Sequence, residues 1–67
     1  MENISKLTSR ELDILQLTIK GMTAKEIALD LFVSRRTVEF HLNNIYLKLK
    51  VTNKIDMVVK YGGYQAE

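Results

Sequence analysis

Sixty-seven residues allow one small domain, and a chain this short buries only about 60% of its unfolded surface, so its elements must pack well. An apolar content of 46% argues against disorder, the lack of cysteine excludes disulfides and thiolate metal sites, and no apolar run approaches the roughly 18 residues that span a bilayer. The net charge of +2 is unevenly spread: residues 34–54 carry five basic side chains against Glu39 alone, and the segments on either side are each at −1.

In chain order, the opening MENISKLTSRE has no signal-peptide core, which with the absence of cysteine suggests a cytoplasmic setting. Thr8-Ser9-Arg10-Glu11 is a capping box, with Leu7 and Leu12 at the staple positions. It predicts a helix over 9–20, closed by Gly21 as a left-handed cap. Thr23-Ala24-Lys25-Glu26 repeats the device, with Met22 and Ile27 as the staple, and predicts a second helix over 24–31. Ser34 caps a third over 35–50, with Val33 and Val38 as its staple. Asn53 caps a fourth over 54–61, with Asp56 in its first turn and Gly62-Gly63 at its end. No strand is predicted. The expected fold is all-α, four helices in a single domain covering residues 1–67.

Only Phe32 and Val33 separate Leu31 from the Ser34 cap, too little chain for an antiparallel return. A short helix, a tight turn and a longer helix describe a helix-turn-helix unit, although its turn more often contains glycine. The stretch SRRTVEF then raises a question. Arg35 and Arg36 lie in the first turn of the third helix, where unpaired N–H groups and the helix dipole repel cations at about 0.3–1 kcal/mol each.

At about 100° per residue, Val38, Leu42, Ile45 and Leu49 fall on one side of that helix and face the core. Arg36, Phe40, Asn43 and Leu47 fall on the other, flanked by Glu39 and Lys50. Arginine can read guanine, asparagine adenine and glutamate cytosine N4, while an aromatic edge packs on a thymine methyl. Base-reading chemistry thus lies near the helix N-terminus, the end that usually enters the major groove. Phosphates at Ser34, Arg35 and Arg36 would cancel the repulsion, and Arg36 also counts among the base readers. A solvated basic helix face is the bland alternative.

Those residues carry a resemblance. The chain from Leu7 to Val59 resembles the LuxR-type (GerE-like) helix-turn-helix domain, through LTSRE, the KEIA of Lys25 to Ala28, and SxxTVxxHxxxIxxKL from Ser34 to Leu49. The resemblance implies a four-helix fold whose third helix recognises double-stranded DNA, in a free-standing regulator or an excised effector domain of a response regulator. It implies phosphate contacts from Lys25, Thr37, Lys48 and Lys54, and base contacts from Glu39, Phe40 and Asn43, with Asn44 at the margin. Four positions depart from the family pattern. Glu39 stands where many members have lysine, Lys50 replaces a common glycine, Leu47 a polar residue, and Lys54 a frequent arginine. Lys54 keeps the charge without the bidentate fork.

The bland readings follow. His41 has no second ligand nearby and reads as packing or a phosphate hydrogen bond. Phe40 is otherwise a protein-contact anchor, and Leu47 is expected to pack near the fourth helix or a partner. Arg10 and Glu11 read as cap and fold-stabilising groups. Asp13, Glu26 and Asp30 form no recognisable acid/base pair, so an enzyme is not expected, nor a cofactor, a metal, a membrane or a small-molecule ligand.

Along the fourth helix, Ile55, Val58 and Val59 form one apolar face, and Met57 and Tyr61 another, more surface than a small core requires. Family members dimerise through this helix on DNA. A homodimer through Ile55, Met57, Val58 and Tyr61 is therefore expected, reading half-sites roughly 10 bp apart, with RNA polymerase as a further partner. Two alternatives use the same scaffold: a protein-binding adaptor or anti-regulator, and a module like the fourth region of bacterial sigma factors.

Overall fold

A computed structural model describes residues 2–63 of the chain. Each of its four α-helices begins where a short polar side chain accepts a backbone N–H that the helix itself leaves unpaired. Helix α1 spans Ser9–Ile19, with Thr8 Oγ1 accepting from Glu11 N at 3.2 Å and Glu11 Oε1 accepting from Thr8 N at 2.9 Å. Helix α2 spans Ala24–Leu31, and Thr23 and Glu26 exchange the same two bonds at 3.2 and 2.8 Å. Ser34 Oγ accepts from Thr37 N at 3.1 Å to start α3, Arg35–Leu49. Asn53 Oδ1 accepts from Asp56 N at 2.8 Å to start α4, Lys54–Tyr61.

The helix ends are less uniform. Beyond α1, Gly21 takes the left-handed conformation (φ 100°), so Gly21 N donates to Thr18 O and Met22 N to Leu17 O. Phe32 and Lys50 take φ 59° at the ends of α2 and α3, where their Cβ atoms meet the strain that glycine avoids. Lys50 therefore does keep the α3 cap closed, with Val51 N donating to Tyr46 O at 3.0 Å, and α3 stops at Leu49. A 3-10 helix over Glu2–Lys6, unforeseen in the sequence, precedes α1 and brings Ile4 into the core beside Leu7. Five residues are too few to show periodicity.

Helix α3 lies at the centre, packed against α1, α2, α4 and the 3-10 helix. Its Val38, Leu42, Ile45 and Leu49 are buried, as their spacing requires, against Ile14 and Leu15 of α1, Ile27 and Ala28 of α2, and Met57 of α4. The burial of Met57 corrects one expectation. Its side chain is fully enclosed, so it cannot belong to a surface that meets a second chain. Tyr61 is half-buried, packs on the same core, and donates from its hydroxyl to Leu49 O at 3.4 Å. The apolar surface that α4 does expose is Ile55 and Val59, with Val58 half-buried beside them. Among the described residues no strand occurs and no helix is long and apolar enough to cross a membrane.

Candidate nucleic-acid interface

The two-residue connection between α2 and α3 and the Ser34 cap present the first turn of α3 at the surface, with Ser34, Arg35 and Arg36 all exposed. Past that turn the outward side carries Phe40, 62% exposed, and then Asn43, also exposed. Thr37 and Asn44 are half-buried on one flank, and the Thr37 hydroxyl lies 2.9 Å from Ser34 Oγ. Lys25, in the first turn of α2, and Lys54, the first residue of α4, are exposed cations.

The basic residues are not equivalent. Arg36 has no carboxylate partner among the described residues, so its five donors remain for an external acceptor. Arg35 donates from Nε to Glu39 Oε2 at 3.2 Å, one turn along the same exposed surface. Lys48 departs furthest from expectation. Its Nζ donates to Glu11 Oε1 at 2.7 Å, and Glu11 is only 4% exposed. Burial pushes the Glu11 carboxyl up, but the Lys48 ammonium and the Thr8 backbone N–H outweigh it and hold the carboxyl below its ordinary value. The Lys48 ammonium is thereby paired within the fold, while its side chain stays 34% exposed. Glu11 is the fold-stabilising group expected of it, through a partner the sequence did not indicate.

Three further placements bear on the surface. His41 is half-buried, its ring meets Phe40 edge-to-face with centroids 5.8 Å apart, and its buried Nδ1 has no hydrogen-bond partner among the described residues. It is a packing residue that backs Phe40. Leu47 is 77% exposed and lacks the packing on α4 that the sequence suggested. Phe32, in the turn, is 94% exposed, and a short turn without glycine is the sequence signal of its left-handed backbone. The spacing of Arg35 and Glu39, four apart on a helix, could likewise have revealed their pairing. No group of three or more His, Asp or Glu side chains is placed to hold a metal among the described residues.

The geometry agrees with what comparison finds. The family profile described as bacterial regulatory proteins, luxR family, matches residues 5–61. The chain is 51% identical over 59 residues to the transcriptional activator protein SolR of Ralstonia solanacearum, covering 88% of this chain and 25% of that protein. It is 50% identical over 54 residues to the uncharacterized response regulatory protein YgeK of Escherichia coli K12, covering 81% of this chain and 37% of YgeK. Over 53 residues it is 45% identical to the transcriptional regulatory protein LiaR of Bacillus subtilis, covering 79% and 25% respectively. The chain thus spans between a quarter and about two fifths of the length of these relatives. No solved structure matches it.

Proposed function

The chain belongs to the luxR family of bacterial regulatory proteins, and we propose that it binds specific duplex DNA through the outward face of α3. One observation carries the reading: an unpaired arginine, an exposed phenylalanine and an exposed asparagine share one side of a helix whose first turn is open to solvent. In the major groove, Arg36, Glu39, Phe40 and Asn43 lie along base edges, with Asn44 at the margin. Phosphates are met by Lys25, Ser34, Arg35, Thr37 and Lys54, and by Arg36 beside its base-edge role. Lys48 is left out of that set because its ammonium is held against the buried Glu11, whereas Arg35 pairs with an exposed carboxylate through Nε alone and keeps two amino groups free.

A homodimer on DNA forms through α4, by way of exposed Ile55 and Val59 with Val58 and the outer edge of Tyr61. The regulator acts in the bacterial cytoplasm, with RNA polymerase as its downstream partner. The family whose profile matches is one of regulatory proteins.

The test is selection of bound sequences from a random duplex pool, followed by affinity against salt concentration on a selected site. Four cations at phosphates per chain, Lys25, Arg35, Arg36 and Lys54, give a log–log slope near −3 to −4. Arg36→Ala should make it shallower by about one. A pool that returns no enriched sequence overturns the reading in favour of an adaptor. One chain per selected site, by light scattering and cross-linking, overturns the dimer.

A further inference from the structure

The Arg35–Glu39 pair has no evident use in the fold. Both side chains are largely solvated, 68% and 52% exposed, and such pairs contribute little to stability. The order is also unfavourable, with the cation nearer the positive end of the helix and N-terminal to its acid. A use appears at the DNA surface. A bare carboxylate approaching the groove meets one phosphate charge per roughly 1.7 Å of duplex axis and is repelled. Arg35 cancels that charge. Only its Nε is engaged by Glu39 Oε2, so the two terminal amino groups remain for a phosphate, and Glu39 keeps Oε1 as a free acceptor.

We infer that Arg35 is a positioning residue, bridging a backbone phosphate to Glu39, and that Glu39 thereby selects cytosine at one position of the site. The inference rests on the DNA-binding reading above. A carboxylate can only accept, and cytosine presents its N4 amino donor in the major groove without an adjoining acceptor. Guanine shows two acceptors there and thymine an acceptor with a methyl, both of which the carboxylate rejects. Adenine sets its N7 acceptor beside the N6 donor, a pattern that suits an amide.

The experiment is a set of parallel selections from one random duplex pool, using the wild-type chain, Glu39→Gln, Glu39→Ala, Arg35→Ala, Arg35→Lys and the double variant Arg35→Ala/Glu39→Ala. Thermal melting confirms that each folds, which these exposed positions permit. The wild type should prefer cytosine at one position by about tenfold. Glu39→Ala should flatten that position alone, and Glu39→Gln should turn it toward adenine. Arg35→Ala should reduce the cytosine preference at the same position, Arg35→Lys should restore part of it, and the double variant should match Glu39→Ala there. Enriched sites whose cytosine preference survives Arg35→Ala, or that are unaltered in both Glu39 variants, overturn the inference and leave DNA binding standing. A wild-type pool without enrichment overturns the DNA-binding reading and this inference with it.

Discussion

Residues 8–11 and 23–26 carry the same device, a threonine and a glutamate three apart that exchange hydrogen bonds at 2.8–3.2 Å. Their surroundings differ. Glu26 is exposed and closes only its own helix, whereas Glu11 is 4% exposed and accepts the Lys48 ammonium from 37 residues along the chain. One box is a local cap. The other has become a tie between the start of α1 and the far end of α3. Identical local code thus acquires different energetic weight from what the fold brings over it.

The sharpest way to break this contrast is to remove both glutamates separately. Glu11→Ala deletes a capping bond and leaves a half-buried ammonium without its counter-charge, a loss of about 3 kcal/mol. In a domain of this size that lowers Tm by more than about 10 °C. Glu26→Ala should cost less than about 1 kcal/mol. Equal losses in thermal melts would mean that the tie to Lys48 contributes nothing.

The acid limb of stability gives a sharper handle. The folded Glu11 carboxyl is held below its ordinary 4.5 although burial pushes it up, because the Lys48 and Thr8 hydrogen bonds prevail. A carboxyl lowered by folding contributes stability that is whole above the unfolded value. That stability is lost as the pH falls through the folded one. Lys48→Met strips the counter-charge from a carboxyl only 4% exposed, so it should cost about as much as Glu11→Ala at neutral pH and remove much of the pH dependence below about 4.5. Denaturant titrations of both chains across that range check the sign. A Lys48→Met chain with an unaltered acid limb would place the dependence elsewhere.

What the sequence revealed follows the same division. All four helices were legible because their caps are written in adjacent residues, and the inward stripe of α3 because one period governs it. The burial of Met57 and the partner of Lys48 were missed for a shared reason. On a helix wheel Met57 pairs with Tyr61 on what looks like a spare face, but α4 packs against both α1 and α3, and Met57 is fully buried in the core they share. Lys48 is a cation on a basic helix until α1 brings a buried carboxylate beside it. Of the candidate site, the side on which Arg36, Phe40 and Asn43 lie was readable, as was the spacing of Arg35 and Glu39, and the distant partner of Lys48 was not.

Helix ends extend the comparison, since Gly21 and Lys50 close α1 and α3 in the same left-handed conformation with different side chains. Lys50→Gly relieves the Cβ strain at φ 59°, offset in part by the greater freedom of glycine in the unfolded chain. The net gain should be about 0.5–1 kcal/mol, read as a rise in the urea midpoint at unchanged slope. Gly21→Ala should shift that midpoint the other way. If Lys50→Gly destabilises, the lysine side chain holds a contact that outweighs the strain.

The smallest expected effect is the most discriminating between a cation used within the fold and one offered to DNA. Arg36 has no carboxylate partner among the described residues, while Lys48 is tied to Glu11 at 2.7 Å. Contact with phosphate releases counterions, and an ammonium held against a buried carboxylate contributes less of that than an arginine with no carboxylate beside it. On a selected duplex, Arg36→Ala should therefore shallow the log–log salt slope by about one, and Lys48→Met should leave it within about 0.2. Measurements belong near pH 7, where the destabilised variant is still folded. A full unit lost from Lys48→Met would mean that phosphate draws the ammonium away from Glu11. In that event Glu11→Gln, which frees the lysine at the outset, should tighten DNA binding and steepen the slope.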